Sequence, residues 1–181
     1  MAKRKTKRKQ PSLTEKYQPK RKSNWARWAI IGLLGLALIS FILMSIPRAK
    51  PTTGPRFTDE GDLTIYQSAS AEVIAQLDIE IADDEESIVQ GLMYRDKMEE
   101  NQGMLFLMPS VKPQAFWMLN TYISLDIIFI GADKRIVKIR ENTVPRSTDQ
   151  VTSVAPAAYV LEVNAGYAQR HGLKEGDRVE W

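Results

Sequence analysis

Two carboxylates stand in runs of otherwise apolar residues, Asp126 in SLDIIFI and Glu162 in YVLEVN. Burying an ionised carboxyl costs on the order of several kcal/mol unless a cation or hydrogen-bond donors accompany it, so both need partners. Arg95, which follows a short amphipathic stretch, and Asn120 and Thr121, which lead into the Asp126 run, are the polar residues placed to serve. Two chemistries fit this set. In one, Asp126 and Glu162 are a catalytic pair, with a carboxyl raised in pKa by apolar surroundings acting as general acid or base and Arg95 holding an anionic or sugar-like ligand. In the other, Arg95 bridges Asp126 or Glu162 bidentately, and the cluster is architectural, lining a binding cleft without turnover. The second is the expectation, because carboxylates on strands are more often structural than catalytic. The binding set is then Arg95, Trp117, Asn120, Thr121, Asp126 and Glu162.

The other reactive residue types close off more than they open. There is no cysteine and one histidine, which excludes thiol nucleophiles, disulfides, thiolate zinc sites, iron–sulfur clusters and multi-histidine metal centres. His171 precedes Gly172 at the end of a short helical turn, where an imidazolium complements the carbonyl end. No G-x-S-x-G elbow supplies it with a serine partner. Met93, Met98, Met104, Met108 and Met118 place five thioethers in 26 residues, which would suit a soft ion such as Cu(I). Without a repeated Met-x-x-Met, and beside Leu and Phe, they read as flexible core filling. Trp117, between Phe116 and Met118, could stack on a sugar but reads first as a core aromatic. The acidic run Asp83–Glu86 reads as a solvated helix start in preference to a calcium site, and no phosphate-cradling glycine loop or dinucleotide fingerprint occurs. No cofactor and no metal are expected.

Short elements must hold these side chains. Leu63–Gln67 and the alternating run Val73–Ile81 have the period of strands. At Asp83 the period changes, and Asp83 with Glu86 makes a capping-box pattern before a helix whose Ile88, Val89, Leu92 and Met93 share a face. Met104–Met108, Ala115–Met118, Leu125–Ile130, Arg135–Ile139, Tyr159–Val163 and Arg178–Trp181 follow as strands. Gly131–Lys134 makes a hairpin, and Ala165–Arg170 is a helical turn closed by Gly172. Many short strands with one or two short helices predict a mainly β, α+β domain, a compact small β-barrel or sandwich.

The same residues carry a family resemblance. Gly91-Leu92-Met93 with Arg95, Gly103-Met104-Leu105-Phe106, Phe116-Trp117-Met118 with Asn120-Thr121, Leu125-Asp126-Ile127-Ile128-Phe129, and YVLEVNAG from Tyr159 to Gly166 resemble the motif series of the domain of unknown function 192 family. Order and spacing agree over roughly Ile74 to Val179. The resemblance implies a small, mainly β domain of bacteria and archaea, often exported or membrane-tethered, with no established reaction.

Upstream of that region the chain changes character. Eleven Lys and Arg occur up to Arg27 against one acid, Glu15, whereas from Pro51 onward there are 12 basic and 21 acidic residues. The folded part is therefore acidic, and despite a pI near 9.1 nucleic acid is not an expected partner. Between the two parts, Ala29–Ile46 runs for 18 residues without a charge, ~27 Å as a helix. Trp25 and Trp28 mark one edge and Pro47 the other. A cleaved signal peptide fits less well, since the basic region is long and MSIPRAK offers no small-x-small site. The expected organisation is a basic cytoplasmic tail over 1–27, a transmembrane anchor over 28–47, a linker over 48–62 and an extracytoplasmic, periplasmic domain over 63–181, on the bacterial cytoplasmic membrane. Its partners are membrane lipid, through anchor and tail, and an unknown envelope ligand or protein. The function expected is a binding or accessory module of the cell envelope. A carboxylate-dependent hydrolase or lyase acting on an envelope polymer is the lesser reading.

Overall fold

The computed structural model describes residues 24–45 and 54–181, which belong to two units dividing between Lys50 and Pro51. The basic tail before Asn24 and residues 46–53, where the expected anchor ends and the expected linker begins, lie outside the described residues. The first unit contributes one helix, α1 (Trp25–Ser45), of 21 residues with no acidic residue in its first turn and no basic one in its last. Its large apolar residues, from Ile30 and Leu33 to Phe41 and Ile42, are exposed. Counted over the fully described residues alone, no helix is long and apolar enough to cross a membrane.

The second unit comprises β1 (Gly61–Tyr66), β2 (Val73–Ala82), α2 (Glu85–Gln90), β3 (Gln102–Phe116), β4 (Leu125–Ile130), β5 (Ile136–Arg140), β6 (Val151–Asn164), α3 (Tyr167–His171) and β7 (Arg178–Glu180). The strands form one curled sheet, a half-barrel, in the order β5-β4-β6-β3-β2-β1-β7. The mainly β, α+β character is as expected, while a single sheet removes the sandwich alternative. The sheet edges meet at one place, where Arg135 and Arg178 form an antiparallel bridge. There the Val179 N–H donates to the Lys134 carbonyl at 2.8 Å and the Ile136 N–H to that of Asp177 at 2.9 Å. Only β2 and β3 run parallel among the paired strands, because α2 carries the chain back between them.

Local chemistry explains where elements begin and end. Asp84 caps α2 one residue later than expected: its side chain accepts the Ser87 N–H at 2.7 Å, and the Ser87 hydroxyl accepts the Asp84 N–H at 3.2 Å. Ser87 takes the box position assigned to Glu86 because the start is shifted by that residue. β3 fuses the two expected strands Met104–Met108 and Ala115–Met118 into one of 15 residues. Proline and lysine interrupt its apolar pattern, and bulges between Leu107 and Lys112 and between Pro113 and Ala115 absorb them against β6.

The domain also begins earlier than Leu63. The Glu60 N–H donates to the Ile79 carbonyl at 2.9 Å, the Ile81 N–H to Glu60 Oε2 at 2.7 Å, and the Thr58 N–H to Glu80 Oε1 at 2.5 Å. Thr58 and Glu60, expected as linker, are thus bonded to β2. Two apolar clusters flank the sheet. One, around Leu63, Ile79, Leu105, Leu161 and Tyr167, fills the curl, and the other, around Leu92, Phe106, Met118, Ile127 and Phe129, lies on the α2 side.

Candidate functional site

On the α2 side of the sheet a cavity of ≈ 190 Å³ opens between the C-terminal half of α2 and strands β3 and β6. Its walls are Met93 beyond α2, Phe106, Met108 and Phe116 of β3, Trp117 and Thr121 of the following turn, and Glu162 of β6. The helix sits close because Gly91 lacks a side chain: a Cβ there would stand 3.2 Å from Phe106 Cζ, and its φ of +44° also disfavours any other residue. Met104 of β3 and Ile127 of β4 are the cross-strand neighbours of Glu162.

Glu162 is 5% exposed, and among the described residues its carboxyl has no ion-pair partner. Burial pushes that carboxyl up to about 8, so it holds its proton at neutral pH. The bridge expected from Arg95 is not there. Arg95 Nη2 instead donates to Glu80 Oε2, both side chains being buried. The reason is register. Glu80, Met104, Glu162 and Ile127 occupy one row across β2, β3, β6 and β4, so Glu80 and Glu162 share a face with Met104 between them. At ~4.8 Å per strand their backbones are about 10 Å apart, and Arg95 serves the nearer acid.

Asp126 does not meet Arg95 either. It is fully buried, and its Oδ1 accepts the Asn142 N–H at 2.8 Å and the Gly166 N–H at 3.1 Å while Oδ2 accepts the Ala168 N–H at 2.9 Å. The carboxylate thus ties β4 to the start of α3 and to the turn after β5. Because Asp126 pairs with Val163 and its neighbour Ile127 with Glu162, the two acids project from opposite faces of the sheet. They cannot share one cleft as a catalytic pair.

Of the six residues expected to bind, Trp117, Thr121 and Glu162 therefore come together. Trp117 is 53% exposed, correcting its core reading: β3 ends at Phe116, so Trp117 escapes the sheet to the cavity mouth while Met118 turns inward. Thr121 is buried, its N–H donating to the Met118 carbonyl at 3.0 Å. Asn120 is a positioning residue. Left-handed at φ 57°, it accepts the Tyr94 N–H on its carbonyl at 2.8 Å and donates from Nδ2 to Tyr94 Oη at 3.0 Å, clasping the two turns that carry Met93 and Thr121. Arg95 and Asp126 lie outside the cavity lining, so Arg95 does not hold an anionic ligand there.

The methionines divide between roles. Met104 and Met118 are buried, Met98 and Met108 pack on the same cluster, and Met93 and Met108 present to the cavity. His171 closes α3 before Gly172 as expected, and its ring lies over Tyr167 at 4.1 Å. Sequence reasoning missed Glu80. Its signal was the need of Arg95 for an acid on the strand preceding α2, hidden because Glu80 alternates in phase with Gln76 and Asp78.

The comparisons with known proteins give a family and two solved relatives. The model of the DUF192 family, described as an uncharacterised ACR, matches residues 66–181. A crystal structure from Sinorhizobium meliloti 1021, named as a candidate transcription regulator, is 40% identical over 70% of this chain and 97% of its own, with a TM-score of 0.64. A protein of unknown function from Novosphingobium aromaticivorans DSM 12444 is 34% identical over 76% of this chain and 94% of its own, with a TM-score of 0.63. No curated protein matches the chain. From the five motifs to the half-barrel that places them, and with a family match over residues 66–181, the chain belongs to the DUF192 family.

Proposed function

We propose that the protein is a membrane-anchored, extracytoplasmic binding or accessory module of the cell envelope, which holds a small ligand in the cavity beneath α2 without turnover. The observation that carries this reading is the make-up of the cavity: apolar and aromatic walls around the single carboxyl of Glu162, a composition that orients a ligand. Carboxylate-pair hydrolysis needs both acids across one bond, ~5 to 9.5 Å apart. The opposite-face placement and full hydrogen bonding of Asp126 disfavour it. Anchoring is supported by the uncharged run Ala29–Ile46 after a basic block and by the helical state of Trp25–Ser45; the positive-inside rule then sets the domain outside.

Native mass spectrometry of the full chain, extracted from its membrane in maltoside, tests the reading. A small molecule retained by the wild type and lost from a Trp117→Ala, Met93→Ala variant is the expected result. Retention of nothing, or of a molecule indifferent to these changes, overturns it.

A further inference from the structure

We propose that the cavity beneath α2 is a site for a small organic cation, an alkylammonium group, with Glu162 as its counter-ion. The inference rests on the binding-module reading above and narrows it to a ligand class.

Charge argues first. Glu162 is the only ionisable side chain in the lining, which contains no Lys, Arg or His among the described residues. It lies more than nine-tenths buried. An anion would meet an acid and no compensating charge. A neutral ligand would use the walls but bring no charge to the carboxyl, whereas a cation offsets the cost of ionising it in a buried site.

The walls argue for the same class. Aromatic faces are negative and attract ammonium groups, and Trp is the best of them. Trp117 stands at the mouth, and Phe106 and Phe116 meet edge to face at 5.1 Å behind it. Met93 and Met108 add polarisable thioethers, and the cavity is bordered by the carbonyl end of α2, the negative end of a helix. At ≈ 190 Å³ the space suits a head group and not a polymer chain. Binding is proton-balanced: the Glu162 carboxyl gives its proton to solvent as the cation enters, and no bond to the ligand forms or breaks.

Other charged groups on this face are engaged elsewhere. Glu80 is paired with Arg95 beyond Met104, and Arg140, opposite Ile127 on β5, donates its Nε to the Thr152 carbonyl at 3.0 Å. From α2 come Glu85 and Glu86, in the exposed first turn.

The test is calorimetric titration of the full chain in maltoside micelles with choline and with its uncharged isostere 3,3-dimethylbutan-1-ol. At pH 8.5 choline is expected to bind at least tenfold more tightly. Its affinity should fall about tenfold per pH unit from 8 to 6, because the carboxyl must first ionise. Glu162→Gln should abolish the preference for choline while leaving the isostere's affinity in place, which also reports that the cavity is folded. Equal binding of both probes overturns the cation class but leaves the binding-module reading standing. A preference that survives Glu162→Gln overturns the counter-ion. Binding of neither probe overturns the inference, and retention of native small molecules then decides the broader reading separately. Dihexanoyl phosphatidylcholine below its micellar concentration distinguishes sources: binding as tight as choline's supports a lipid head group, and rejection alongside choline binding supports a free cation.

Discussion

Glu162 and Glu80 are both strand glutamates on one face of the sheet, and their fates differ because one arginine reaches only one of them. Glu162, unpaired, titrates near 4.5 in an unfolded chain but is raised to about 8 in the fold. Between those values the folded state holds the extra proton. The stabilisation is complete below pH ~4.5, is lost as pH rises toward 8 and is constant beyond. Glu162→Gln lacks this dependence. Its melting temperature relative to wild type should therefore climb between pH 4.5 and 8.5, by on the order of 10 °C, in paired thermal scans. Glu80 is instead held by Arg95. Arg95→Met leaves the buried Glu80 carboxyl without its cation and should cost ~3 to 5 kcal/mol in urea denaturation. Adding Glu80→Gln should recover most of that loss, since the amide keeps an acceptor for the Thr58 N–H and carries no charge.

At the scale of elements, α2 is the wall that makes the cavity, and it is a helix of six residues. So short a helix owes its stability to its ends and to packing. Ser87→Ala removes the half of the capping box in which its hydroxyl accepts the Asp84 N–H, while the backbone N–H at 87 still donates to Asp84, and should cost ~0.5 kcal/mol. Gly91→Ala should cost more, since it adds a strained φ to a Cβ pressed on Phe106, and it should push α2 off the cavity. Chemical-shift mapping should show the Gly91→Ala change reaching Glu162, and the Ser87→Ala change staying within α2.

This helix also shows how far the sequence could be read. Its face and its closing glycine are local signals, as is β4, where six successive buried residues are found as expected. The inward turn of Glu80 is not local, because it depends on Arg95, beyond α2, reaching it from the next segment of the chain, and no period within β2 carries that fact. Trp117 was misread for a similar reason: an apolar run says that side chains are buried nearby but not at which residue the chain leaves the sheet. Asp126 was expected to meet Arg95, but its donors are backbone groups at Asn142, Gly166 and Ala168, which no residue type announces.

At the scale of the whole molecule, the segment from Gly54 to Glu60 belongs energetically to the domain. A fragment of residues 54–181 should unfold at higher urea concentration than one of residues 63–181. The latter loses the bonds made by Thr58 and Glu60 and leaves Glu80 short of a donor, a difference of ~2 to 4 kcal/mol. The proposed anchoring has its own test. A reporter fused after Trp181 that functions only outside the cytoplasm should be active, and activity of a cytoplasm-only reporter in its place would sink the topology.

The pairing of β1 with β7 joins the earliest and latest strands described. During synthesis, β1 has emerged long before the residues that will flank it, while β2 can cover only its other edge. The ring of neighbours is completed when Arg178, Val179 and Glu180 arrive. The β1–β7 edge can thus form only after most of the domain's length has been made. In a protein carried across a bilayer as proposed, that ordering keeps the chain threadable until translocation is nearly finished, and folding on the far side then removes the route back.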